Sequence, residues 1–203
     1  MNTIISHAGI FDTEATSIES IKKCVTNNIG IEIDLRLKND SVYVSHDVCP
    51  PSLFFDDVCL CLVNTKIKKA LHIKELDAVT PTLEILAKHK INNFFLFTEQ
   101  NHKFKQNDNF DLAYYANTYP QKITNKIIWC DESIKKWFNH DSISKLKNNH
   151  NQLIAISQEI LTHCSLDKAK SYWTLLCELG FDGICTNYAK ECKSFFRELG
   201  GEI

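Results

Sequence analysis

Short apolar runs separated by amphipathic stretches recur along the whole chain. Seven of them read as strands, at residues 4–6, 31–37, 70–73, 94–98, 126–129, 153–157 and 182–186. Their content is near-continuously apolar, as expected of strands covered on both faces of a parallel sheet. Residues 42–45 are also strand-like, but Asn39-Asp40 before them reads as a tight turn, so this segment is expected to fold back as a hairpin arm. Between the runs lie helical patterns. Thr16-Ser17-Ile18-Glu19 has capping-box spacing, and Ile18, Ile21 and Val25 fall on one stripe. Thr80-Pro81 opens a helix with proline at its first position and Leu83, Leu86 and Ala87 turned inward. Ser165 can cap a helix that buries Ala169, Trp173, Leu176 and Leu179 and stops at Gly180, and a last helix over 188–199 also ends at glycine.

Repeated strand–helix units predict an α/β chain, with a small (β/α)8 TIM-type barrel as the leading architecture. Seven parallel strands leave that barrel one short, so it is expected to be irregular. The Asn- and Lys-rich stretch 139–152 reads as a solvated helix and loop rather than a linker, so residues 1–203 form a single domain.

Composition narrows the function classes. The 203 residues are 44% hydrophobic and 24% charged, enough for one substantial core. A formal net charge of −2 argues against nucleic-acid binding through a basic surface. No apolar run reaches membrane-spanning length, and the start of the chain lacks the basic and apolar regions of a signal peptide, so a cytoplasmic location is expected. The nine cysteines are mostly set in apolar runs, as Cys24, Cys130, Cys177 and Cys185 are, and read as reduced core residues. Cys59 and Cys61 lack a second pair at zinc spacing.

The candidate chemistry is concentrated near the N-terminus, where His7-Ala8-Gly9, Glu32-Ile33-Asp34 and His46-Asp47 each end or lie in a short apolar run. Glu32 and Asp34 are two apart, so on a strand both carboxylates share a face and can hold a hard divalent cation. Without a cation they would repel and one would resist ionisation. Two imidazoles can move protons near neutral pH. Taken together at the ends of successive strands, these are the parts of a metal-assisted phosphodiester cleavage. His72 and Lys74 flank Ile73 and so share a face, Glu99 follows the run at 94–98, and Trp129 ends another strand. Tryptophan is more often core than substrate platform, which is the expectation for Trp137 and Trp173, whereas Trp129 is a candidate for substrate contact. His89, His102, His140, His150 and His163 sit in polar surroundings and read as surface residues.

These residues resemble the glycerophosphodiester phosphodiesterases and the wider phosphatidylinositol-phospholipase-C-like superfamily. That family opens on a strand ending in His-Arg-Gly, followed by Glu-Asn-Thr, Glu-x-Asp and a strand ending in His-Asp. This chain has His7-Ala8-Gly9, Glu14-Ala15-Thr16, Glu32-Ile33-Asp34 and Val44-Ser45-His46-Asp47 in the same order. His72-Ile73-Lys74 is similar to the family's Glu-Ile-Lys strand, and Gly180 to Tyr188 to its Gly-x-Asp-Gly-Ile-x-Thr-Asp-Tyr segment. The resemblance implies a barrel enzyme of lipid metabolism that hydrolyses a small-molecule phosphodiester. It also implies one divalent ion, Mg²⁺ or Ca²⁺ with Mn²⁺ as a further option, held by Glu32 and Asp34 with His72 or Glu99 as third ligand. His7 and His46 would be base and acid, and Lys74 would face the phosphate. Ala8 stands where the family has a phosphate-holding arginine, Ala15 where it has asparagine, and His72 where it has an acidic ligand. Two rivals remain open at this point. One is a catalytically silent barrel that binds a phosphorylated ligand or a partner; the other is an enolate-stabilising isomerase, aldolase or lyase, in which a lysine base would be more natural than two histidines.

Overall fold

The structure, a computed structural model, describes residues 1–12, 16–101, 110–121, 123–149 and 151–200. Glu14 and Ala15 of the family-like motif, and His102 and His150, lie outside the described residues. Nine strands are described: β1 (Thr3–Ser6), β2 (Gly30–Lys38), β3 (Ser41–Val44), β4 (Lys69–Ile73), β5 (Phe94–Phe97), β6 (Asp111–Ala116), β7 (Ile127–Cys130), β8 (Gln152–Ile156) and β9 (Gly183–Thr186). All but β3 are parallel, in the order β1-β9-β8-β7-β6-β5-β4-β2, and a β1–β2 pairing closes the ring into a barrel. β3 is the expected hairpin arm, antiparallel to β2 with Leu35 opposite Val44. Asn39 and Asp40 make the turn with both backbones in the left-handed region, which asparagine and aspartate tolerate better than most residues.

The strand missing from the sequence reading is β6. Its signal is weak because Ala113 and Ala116 supply little apolar bulk; on the inner face Ala113 packs with Phe95, Phe97 and Trp129, which fill that volume. No helix is described between β6 and β7, so the barrel is irregular at that connection rather than short of a strand. The helices are α1 (Ile18–Thr26), α2 (Phe55–Leu62), α3 (Val79–Lys88), α4 (His140–Lys147), α5 (Gln158–Thr162), α6 (Leu166–Leu179) and α7 (Ala189–Glu198). Three helix expectations shift in detail. The capping box of α1 pairs Ser17 with Ser20 rather than using Glu19. Pro81 lies in the third helical position of α3, and Ala87 faces solvent. Gly180 does stop α6, at φ 91°, but Ser165 makes no side-chain cap there.

Two apolar layers follow from the alternation of side chains along the strands. The outer faces and the helices bury one large cluster that includes Ile31, Ile33, Leu71, Leu96, Ile128, Leu153, Ile184 and Trp173. Inside the barrel pack Ile5, Ala70, Phe95, Phe97, Ala113, Ile127, Trp129, Ile154 and Cys185. β2 contributes carboxylates to that interior instead of an apolar pair. Gly30 lets β2 approach closely: a Cβ there would stand 2.9 Å from the Lys68 carbonyl and 3.1 Å from that of Ile4. Among the described residues no helix is long and apolar enough to cross a membrane. All nine cysteines are free; Cys177 is exposed rather than core, and His89 is half-buried against Asp56 rather than loose on the surface.

Candidate active site

The inward positions of successive strands set the site. Ile5, Ala70, Phe97, Ala113, Trp129 and Cys185 point into the barrel, so the residues two further on, His7, His72, Glu99, Tyr115, Asp131 and Asn187, come to the C-terminal mouth or just below it. On β2 the inward pair is Glu32 and Asp34, in register with Ala70 and His72 of β4. Both carboxylates are buried, at 3% and 5% exposure. One ligand atom each from Glu32, Asp34 and His72 fits within 4.8 Å of the others.

An imidazole and an ammonium group flank this pair on one side. His72 Nδ1 stands 2.9 Å from Asp34 Oδ1 and 4.0 Å from Glu32 Oε1. Lys74 Nζ lies 3.6 Å from Asp34 Oδ1. Glu99, 62% exposed at its side chain, stands at the rim 3.9 Å from both His72 Nε2 and Lys74 Nζ. The other Glu32 oxygen accepts the Ala8 backbone N–H at 2.9 Å. That N–H is aimed by a sharp turn at the end of β1, in which Ala8 holds φ 51° and Gly9 φ 59°. A non-glycine residue in the left-handed region is a local cost that the surroundings must sustain, and such positions gather at functional sites.

Burial, and then the neighbouring Asp34 charge, hold the Glu32 carboxyl well above the usual range, against the pull of the Ala8 N–H and Lys74. Burial would raise Asp34 too, but His72 and Lys74 outweigh it and keep that carboxyl low. Although His72 is close, no hydrogen bond of acceptable geometry reaches Asp34 Oδ1. A buried carboxylate oxygen without a hydrogen bond is costly. Two oxygen donors and an imidazole around it are a donor set that fits a divalent cation.

His7 Nδ1 is 2.8 Å from Asn187 Oδ1. An amide oxygen only accepts, so Nδ1 carries the proton and Nε2 keeps a free lone pair. Burial lowers the His7 pKa below its ordinary 6.5, partly offset by the Asn187 bond and the charges of Asp34 and Glu159; His46 lies near enough to push it down further. His46 is 70% exposed at its side chain, on the loop after β3, with Nδ1 2.9 Å from Asp47 Oδ1. The loop is held from below by Arg36, whose Nε and Nη2 donate to the His46 carbonyl at 3.2 and 2.7 Å while Nη1 pairs with Glu75. Glu75 also accepts the Leu37 N–H at 2.9 Å.

The fold thus brings His7, Glu32, Asp34, His72 and Lys74 together, with Glu99 at the rim and His46 on a loop at the same end. Trp129 is corrected. It is 2% exposed and stacked on Phe97 at 4.5 Å between centroids, a packed interior ring rather than a surface open to substrate. Phe97 in turn stacks on His72 at 4.5 Å, so the aromatic column fixes the imidazole plane from below. Sequence reasoning did not single out Arg36, Asn187 as a histidine partner, or Tyr115, whose hydroxyl donates to buried Asp131. The two-residue spacing after each inward apolar position would have found Asn187 and Tyr115. Arg36, two after Asp34 on β2, follows by the same step.

No family model matches the chain, and no curated protein matches it by sequence. Its fold is shared with solved structures at low identity. A glycerophosphodiester phosphodiesterase from Parabacteroides distasonis superposes with a TM-score of 0.75 at 13% identity, over 98% of both chains. An Oleispira antarctica phosphodiesterase, solved with the product sn-glycerol-3-phosphate, gives 0.72 at 12% identity over 97% of both. A glycerophosphodiester phosphodiesterase from Thermotoga maritima gives 0.67 at 15% identity over 98% of both.

Proposed function

We propose that this chain is a metal-dependent phosphodiesterase of the glycerophosphodiester phosphodiesterase type, acting on a small glycerol-, sugar- or lipid-derived phosphodiester. The observation that carries the reading is the buried Glu32–Asp34 pair, with one Asp34 oxygen left without a hydrogen bond and His72 clustered beside it. The sn-glycerol-3-phosphate held by the Oleispira neighbour is the kind of product such a mouth would release.

Glu32, Asp34 and His72 would hold the cation, Mg²⁺, Ca²⁺ or Mn²⁺. When bound, it supplies positive charge to a non-bridging phosphate oxygen as negative charge develops there. His7 Nε2, left free by the Asn187 bond, takes the proton of the attacking hydroxyl. His46 returns a proton to the departing alkoxide, which is far too basic to leave unaided at neutral pH. When the nucleophile is a hydroxyl of the substrate itself, attack gains the high effective concentration of a tethered group. Lys74 would give the phosphate a fixed positive charge of the kind that Ala8 cannot offer.

The test is a screen of the purified chain with Mg²⁺, Mn²⁺ or Ca²⁺ against glycerol-, sugar- and lipid-type phosphodiesters. Turnover of at least one ester that stops in excess chelator is the expected result. Full activity in chelator, or no turnover with any cation, overturns the reading.

A further inference from the structure

Glu159 is a buried acid that no step above uses. It sits in the first turn of α5, 2% exposed, behind the β8–β9 end of the mouth. One carboxylate oxygen accepts the Thr186 hydroxyl and, at 3.2 Å, the Asn187 backbone N–H; the other accepts the Ser157 hydroxyl. Ser157 is itself fixed by the Trp173 indole N–H at 2.8 Å, and Thr186 accepts the Tyr188 N–H at 3.0 Å. Trp173 is a fully buried residue of α6 in the helix-facing apolar cluster. A continuous chain of hydrogen bonds therefore runs from the packed face of α6 through Ser157, Glu159 and Asn187 to Nδ1 of His7.

We infer that Glu159 is the positioning residue for His7: it pins the backbone of Asn187, and Asn187 Oδ1 then selects the Nδ1–H tautomer. Without that anchor the residue after β9 has no other described side chain holding its N–H, and the amide can turn its NH₂ toward the imidazole. A donor facing Nδ1 would favour the opposite tautomer and put the proton on the nitrogen that faces the phosphate. The distance from Glu159 to the reacting atoms makes this an effect on orientation, not on binding. Networks of this kind rigidify the group they end on, since each partly satisfied alternative is costly in a low-dielectric interior. The inference rests on the reading of His7 as a proton-transfer group, but its test does not need the reaction.

Nitrogen-15 spectra of histidine-labelled protein distinguish the two neutral tautomers, and the His7 signal is identified by its absence from His7→Gln. At a pH where the imidazole is neutral, the parent should show Nδ1–H. Glu159→Ala should give a mixture or the opposite tautomer, with kcat lowered by roughly tenfold or more and KM little changed. Glu159→Gln keeps an acceptor for Thr186 and Asn187 and should recover most of both signals. Glu159→Asp, one methylene too short to span Ser157 and Asn187, serves as the milder variant should alanine prevent folding, with a smaller shift in the same direction. An Nε2–H tautomer in the parent, or an unchanged His7 spectrum in folded Glu159→Ala or Glu159→Asp, overturns the inference. Because the spectra require neither substrate nor cation, the result stands whether or not the proposed activity is found.

Discussion

Burial disfavours the charged form of the His7 imidazole, so a larger share of it is unprotonated at a given pH than of an exposed histidine, as the proposed base needs. Its pKa lies below the ordinary 6.5, so the acidic limb of kcat/KM should fall below pH 6.5, activity being lost as pH drops through that value. A limb above 6.5 would place the base elsewhere. Replacing His7 or His46 by alanine should cost at least about a hundredfold in turnover with the circular dichroism unchanged. His72 poses the other question at this scale. It stands where a carboxylate would suit hard cations better, its ring fixed by Phe97 at 4.5 Å and its Nδ1 2.9 Å from Asp34. His72→Glu should therefore tighten Mg²⁺ binding in calorimetry and reduce any preference for Mn²⁺. Lys74→Ala should lower turnover more than thermal stability, because its ammonium pairs with Asp34 and Glu99 and belongs to neither apolar layer. The motif residues were legible in the sequence because two-residue spacing on a strand fixes a shared face. Glu159 was not, since its role depends on Thr186 and Asn187 arriving from 27 and 28 positions away.

Strands and loops carry the next level. The β2–β3 hairpin was readable from Asn39-Asp40, whereas β6 was hidden because Ala113 adds little bulk to an interior that Phe95, Phe97 and Trp129 already fill. The proline of α3 was likewise misplaced by two positions, because a 3-10 turn over Leu76–Ala78 leads into the helix and takes the chain's change of direction ahead of it. The His46 loop illustrates what an element needs beyond its own sequence. Its imidazole is exposed, and its backbone is tied down by Arg36, two residues beyond Asp34 on the same strand. Arg36→Met keeps the apolar stem and removes both hydrogen bonds to the His46 carbonyl. It should reduce kcat by roughly tenfold while moving the melting temperature little. A variant with parental kcat would show that the loop holds its place without the guanidinium.

Across the whole molecule, the barrel separates two jobs that small folds often mix. The helix-facing layer and most of the barrel interior are apolar and supply stability, while the upper interior is given over to charge. The free thiols report on this packing. Burial pushes Cys24 up to about 11 and Cys59 to about 12, and holds Cys130, Cys185 and Cys192 well above the ordinary range. A thiolate-directed reagent at neutral pH should therefore label Cys49, Cys61, Cys164 and Cys177 well ahead of these five, which should react only as denaturant opens the fold. Simultaneous labelling of all nine in the native state would contradict the packing. The alternation of strands and helices was enough to read a barrel from the sequence, but not its closure, which depends on a β1–β2 pairing of only Ile5 with Gly30 and Ser6 with Ile31. The cation site proposed on the buried carboxylates of β2 is tested by following turnover of the best substrate as Mg²⁺ or Mn²⁺ is raised, in the parent and in Asp34→Asn. Saturation by a single class of cation site is expected in the parent, with a half-saturation point at least about tenfold higher in the variant. A rate indifferent to the cation, or one with the same half-saturation in both proteins, would contradict it.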